Sequence, residues 1–171
     1  MIYFAVFLIS ILLAVGQLTF FSKLAFWAFN PNLILAGILS YAIFGQEEKN
    51  QWFVLIPALI LDLLVGRPFG FLTLALWLTF YLIDWLARIL FRQNDWPAIV
   101  LLIMSGVLFF ELSLVGLIKL AGLLHLINKI NFEWFYFYGT IPLNILGNGI
   151  FCLFFVRLLQ KIISKKLGEK I

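Results

Sequence analysis

Three acids stand inside or beside apolar runs, and they are the residues with most chemistry to offer: Asp62, Asp84 and Glu111. A carboxylate at the centre of a membrane helix costs about 2.5–3.5 kcal/mol on insertion scales, and less toward an interface. An acid so placed must therefore hold a partner, gather hydrogen-bond donors, or carry a proton or cation. Asp84 has a partner four residues on, Arg88, on the same helical face. Asp62 has Arg67 as its nearest base and a turn directly after it. Glu111 lies mid-run and is expected to face the bundle interior, where Asn144 or Asn148 can satisfy it. Those two asparagines are four apart and share one helix face, which suits hydrogen bonding between helices. The leading reading of Glu111 is a structural hydrogen bond, followed by a partner contact, then a proton or substrate site.

Other chemistries have little to stand on. The one cysteine, Cys152, lies in an apolar run, and the one histidine, His125, lies in a polar loop. No disulfide framework, zinc pattern or haem pattern follows from them. A Gly-rich phosphate loop, a Ser-His-Asp order and a nucleic-acid signature are all missing from the sequence. Glu111 has no second acid, metal ligand or nucleophile at its depth. The expectation is a protein that is not an enzyme and takes no cofactor or metal.

The elements that must position these residues are membrane helices. Of 171 residues 64% are hydrophobic and 12% charged, against roughly 25% charged in a soluble domain. A spanning helix needs about 20 apolar residues. The apolar runs predict six, at about 2–21, 31–45, 52–65, 69–91, 97–123 and 134–159, in a single membrane domain. The first run lacks the leading bases of a signal peptide, so it reads as a retained span. Asn30 is expected to cap the second span and Pro31 to take its first helical position. The second and third spans are short, and the six polar residues from Gln46 to Gln51 separate them. A re-entrant hairpin would sink that polar run into lipid, so two short spans are preferred.

Between the third and fourth spans, Gly66-Arg67-Pro68-Phe69-Gly70 reads as a tight turn. The glycines have the spacing of a helix-dimer motif, but Arg67 and Pro68 between them argue for the turn. Gly147 and Gly149 flank Asn148 and allow close helix approach. Six spans put both termini on one side. Eight of the twelve Lys and Arg residues then fall on that side, including Arg157, Lys161, Lys165, Lys166 and Lys170 of the tail. The basic side is expected to be cytoplasmic. Anionic lipid is the partner that the tail suggests, and nucleic acid is not one.

Taken in order, these motifs resemble the MreD family of rod-shape membrane proteins. The match rests on Asn30-Pro31-Asn32 opening the second span and on Ile60-Leu61-Asp62-Leu63 followed by Gly66 and Gly70. It also rests on Glu111 in the fifth span, Asn148-Gly149 in the sixth, and the basic ending at Arg157 and Lys161. Asn30 stands where such proteins often carry a base. The resemblance implies a scaffold without catalysis in the bacterial inner membrane, acting in peptidoglycan synthesis within the elongasome. Its implied partners are an MreC-like protein, the MreB filament, and a RodA-type transglycosylase with its transpeptidase. The implied fold, an all-α six-helix bundle, is similar to the S components of energy-coupling-factor transporters. That similarity supplies the rival reading, a binding component for a vitamin-type small molecule.

Overall fold

The computed structural model of the chain describes residues 2–21, 32–44, 50–65, 70–90, 96–125 and 141–167. Among them are six α-helices and no strand: α1 (Ile2–Gly16), α2 (Leu33–Phe44), α3 (Trp52–Val65), α4 (Phe71–Leu90), α5 (Trp96–Leu123) and α6 (Ile141–Leu167). A π-helical turn, Gln17–Phe21, continues α1. The apolar runs predict the third and fifth helices to within a residue. The described part of α6 begins at Ile141, and residues 134–140 lie outside the described ones.

Helix α2 is the axis of the bundle. It packs against every other helix, while α1, α3, α4, α5 and α6 follow one another around it, each touching the next. Its sequence dictates that place. Apolar residues occur all round the helix rather than on one stripe, and such a helix must be covered on all sides. Ile34, Leu35, Ala36, Ile38, Leu39, Ala42 and Ile43 are all buried. Ser40, also buried, donates its hydroxyl to Ala36 O at 2.7 Å. Tyr41 stacks on Phe80 of α4, 6.0 Å between ring centroids, and leans on Phe53 of α3.

Close approach sets the packing around this axis. A Cβ at Gly106 would meet Leu39 Cδ2 at 2.5 Å and Ile83 Cγ1 at 3.1 Å, so α5 presses on α2 and α4 there. A Cβ at Gly149 would meet Met104 Sδ at 2.7 Å, so α6 presses on α5, as the glycines around Asn148 suggest. Eight residues along α6 from Gly149, the Arg157 guanidinium lies 5.0 Å from the ring centroid of Trp96, eight residues back along α5 from Met104. The two contacts keep one register, so α5 and α6 run antiparallel.

By length and composition α4 and α5 are each sufficient to cross a membrane. The others are shorter as apolar segments. Helix α2, with 12 residues, is about 18 Å long at 1.5 Å per residue. Its start, at Asn32 and Leu33, is buried in the protein, where water is not at hand to satisfy the backbone.

Candidate functional site

Each helix start leaves backbone N–H groups without an intrahelical acceptor. Where the start is buried, a side chain must supply one. Two such starts account for Asp62, Asn32 and Asn148 among the polar residues singled out in the sequence.

The first is the start of α4. Asp62, near the end of α3 and only 1% exposed, reaches across the turn. Its Oδ2 accepts from Gly70 N at 2.5 Å and from the Thr73 hydroxyl at 3.0 Å, and its Oδ1 accepts from Leu72 N at 3.4 Å. The carboxylate thus gathers the donors of the first turn of α4, where the helix dipole also favours a negative charge. Thr73 contributes a donor that the sequence reading passed over. Gly66 and Arg67, expected in this turn, lie outside the described residues. Gly70 has φ +96°, and a Cβ there would meet nothing within 4 Å. Its requirement is backbone conformation, not space. Gly70→Ala should therefore cost about 1–3 kcal/mol, whereas Gly116→Ala, on an open face of α5, should be neutral or stabilise by about 0.5–1 kcal/mol. Equal thermal midpoints for the two variants in mild detergent would contradict the assignment.

The second is the start of α2, where three acceptors converge. Asn32 Oδ1 accepts from Leu35 N at 3.0 Å, Gln17 Oε1 from Leu33 N at 3.1 Å, and Asn148 Oδ1 from Asn32 N at 2.6 Å. All three bonds are buried. Asn32 thus caps α2, whose described helix starts at Leu33. Asn30 and Pro31 themselves lie outside the described residues. Tertiary contacts support this start, since Gln17 and Asn148 meet the backbone at Leu33 and Asn32. Gln17 escaped the sequence reading, and its one signal is a lone amide in an apolar first span.

Glu111 is buried, as expected of an acid in mid-helix, and so is Asn144. In the α5–α6 register Glu111 lies seven residues past Met104 and Asn144 five before Gly149. The two are then within about 3 Å of the same level. Asn148, the other expected partner, gives its carbonyl oxygen to α2.

At the opposite end Asp84 accepts from both Arg88 Nε (3.1 Å) and Arg88 Nη2 (2.9 Å), the pair read from their spacing. Asn50 caps α3, accepting from Trp52 N at 3.1 Å, and donates its own N–H to the Tyr41 hydroxyl at 2.9 Å. The Tyr81 hydroxyl donates to Gln51 Oε1 at 3.0 Å. His125 follows the end of α5 with φ +56°, its N–H reaching Gly122 O at 3.3 Å, a helix-ending turn in the loop position expected.

Asp62, Gln17, Asn32, Asn148 and Asn50 are thus committed to helix starts, and Asp84 to an ion pair with Arg88. Arranged this way they can fix helices in register. Among the described residues no group of three or more His, Cys, Asp or Glu could hold a metal ion. No curated protein and no solved structure matches the chain. The family model of the rod shape-determining protein MreD matches residues 1–162 of the 171, and the chain belongs to that family of membrane proteins.

Proposed function

We propose that this protein is a non-catalytic scaffold of the cell-wall elongation machinery in the bacterial inner membrane. Family membership carries a role in determining rod shape. The observation that supports a scaffold is the use of the buried polar groups. Asp62, Gln17, Asn32 and Asn148 spend their oxygens on helix starts, which builds a bundle of fixed shape. A transporter-type binding component would instead need convergent polar groups aimed into a cavity. The start of α2 is already served by three protein oxygens. The partners on this reading are an MreC-like protein, the MreB filament, and a RodA-type transglycosylase with its transpeptidase. The test is complementation in a strain depleted of its own MreD-family protein. Expression of this chain should restore rods, and the MreC-like protein should co-purify with it. Round cells despite normal membrane levels would defeat the proposal.

The proposed topology has six spans and both termini in the cytoplasm. Exposed Trp52, Trp85 and Trp96 and the bases Arg88 and Arg157 gather at one end of the bundle, a pattern that suits an inner interface. Single-Cys variants at Asn50, Asn94 and Lys170, in a Cys152→Ser background, should resist an impermeant thiol reagent added to intact cells. Variants at Arg67 and Asn128 should react. Strong labelling at Lys170 from outside would overturn the topology.

A further inference from the structure

The oxygens of Gln17, Asn32 and Asn148 are spent on the start of α2, but their nitrogens are not. Each oxygen accepts a backbone N–H, from Leu33, Leu35 and Asn32 in turn, and this fixes which end of each amide is the NH2 group. Among the described residues none of the three NH2 groups has an acceptor. The side chains are nonetheless deep in the protein: Gln17 and Asn32 are 8% exposed and Asn148 is 2% exposed. Because the three oxygens meet N–H groups of a single turn, the three NH2 groups gather round that turn as well.

Nor are these nitrogens sealed by packing. Among the described residues, Trp77 Nε1 is the one side-chain polar atom that is both fully buried and without a hydrogen bond. The amide nitrogens of Gln17, Asn32 and Asn148 therefore border open space beside the start of α2. Each NH2 group brings two donors, so the space is edged by donors that await an acceptor. Water suits it less well than a guest that only accepts, because the two hydrogens of a water need acceptors and each amide oxygen already holds one N–H. The dipole of α2, positive at this end, favours negative charge. A hydrogen bond to an anion is also about twice as strong as one between neutral groups.

We propose that the start of α2 binds one small monovalent anion, a halide or a short carboxylate, through the NH2 groups of Gln17, Asn32 and Asn148. These residues come from the π-helical turn after α1, from the start of α2 and from α6, so the ion ties together a second time the elements that the amide oxygens already join. Its role is to add stability to the bundle. The proposal does not depend on the scaffold reading, because it concerns the purified chain without a partner.

The experiment holds the full chain in neutral detergent at constant ionic strength and replaces gluconate, a bulky anion, by chloride or by formate while the thermal midpoint is read. The wild type should gain about 3–6 °C at ten times the half-saturating concentration of chloride, of formate or of both. A gain from chloride alone assigns the site to a halide, and a gain from formate alone assigns it to a carboxylate. Asn32→Ser keeps an oxygen at the cap, since serine is an equally good N-cap, and removes one NH2 group. In gluconate it should melt close to wild type, and it should need about tenfold more of the anion, as expected for the loss of one hydrogen bond to a charged group. Gln17→Glu keeps the acceptor for Leu33 N, removes another NH2 group and should weaken the response at least as much. Asn50→Ser, the same exchange at the cap of α3, should respond as the wild type does. A wild-type midpoint that ignores both small anions would overturn the proposal. So would a response that Asn32→Ser and Gln17→Glu leave undiminished, since the ion would then sit elsewhere. An equal gain from sulfate at the same ionic strength would also overturn it, as a general effect of salt.

Discussion

Asp62→Leu is expected to be the most damaging single substitution in the turn between α3 and α4. The carboxylate accepts from Gly70 N, Leu72 N and the Thr73 hydroxyl. Leucine fills a similar space but leaves those donors without an acceptor at a site that is 1% exposed. An unsatisfied buried donor costs about 1–3 kcal/mol. The bond at 3.4 Å is the weakest of the set and the other two are part-buried, so the loss should be about 2–4 kcal/mol by the same principle. That is a large part of the roughly 5–15 kcal/mol that holds a domain folded. Thr73→Val removes one donor and leaves the backbone bonds, so about 1 kcal/mol is expected. Asp62→Asn keeps one acceptor oxygen but turns an NH2 group toward the donors, and it should fall between the two. Folded yield in mild detergent and denaturant midpoints would rank the variants. If Asp62→Leu accumulated like wild type and melted at the same point, the carboxylate would not be holding the start of α4. A leucine variant that folded normally yet lost rod-shape activity would assign Asp62 to a partner contact.

How far the sequence revealed this arrangement depended on whether the deciding signal was local. The ends of α3 were clear because Asn50-Gln51 and Gly66-Arg67-Pro68 bound an apolar run. Asp84 and Arg88 were readable because a spacing of four is itself geometry. Asp62 was marked by cost, since an acid at an apolar boundary needs satisfaction. Its partners, by contrast, were only partly foreseen: the turn was expected, but Leu72 N and the Thr73 hydroxyl lie a turn into the next helix. The acceptors at the start of α2 were only partly foreseen for a related reason, and the expected Asn30 and Pro31 lie outside the described residues. Asn30-Pro31-Asn32 offers two possible caps, and the rule that proline takes the first helical position favours Asn30. What decides for Asn32 is the approach of Gln17 and Asn148, which are 15 and 116 residues away. No local pattern announces them. The centrality of α2 was legible in principle, because a helix apolar on every side has nowhere else to go.

Asn148→Leu carries the second large expected effect, and it also separates the two functional readings. Asn148 Oδ1 is the acceptor for Asn32 N at 2.6 Å, and both residues are buried. Along α6 this bond lies nine residues from Arg157, or about 14 Å from the aromatic end of the bundle. In a hydrocarbon core about 30 Å thick, that is close to the middle, where water offers no replacement acceptor. Leucine at 148 should therefore cost about 1–3 kcal/mol for the orphaned N–H. Because α2 touches every other helix, the loss should appear as lower global stability and not as local fraying. Gln17→Leu removes the neighbouring acceptor of Leu33 N and should cost a similar amount by the same principle. The double variant should lose less than the sum of the two, since once the first turn of α2 has opened the second substitution breaks no formed bond. The function measurement then decides. If Asn148 acts as a cap, rod-shape complementation per folded molecule stays near wild type for Asn148→Leu, and only the folded amount falls. If Asn148 is part of a ligand site, the variant accumulates normally and complementation fails, because the loss then lies in binding and not in the helix. That second outcome would leave α2 stable without its acceptor, and it would remove the observation on which the scaffold reading rests.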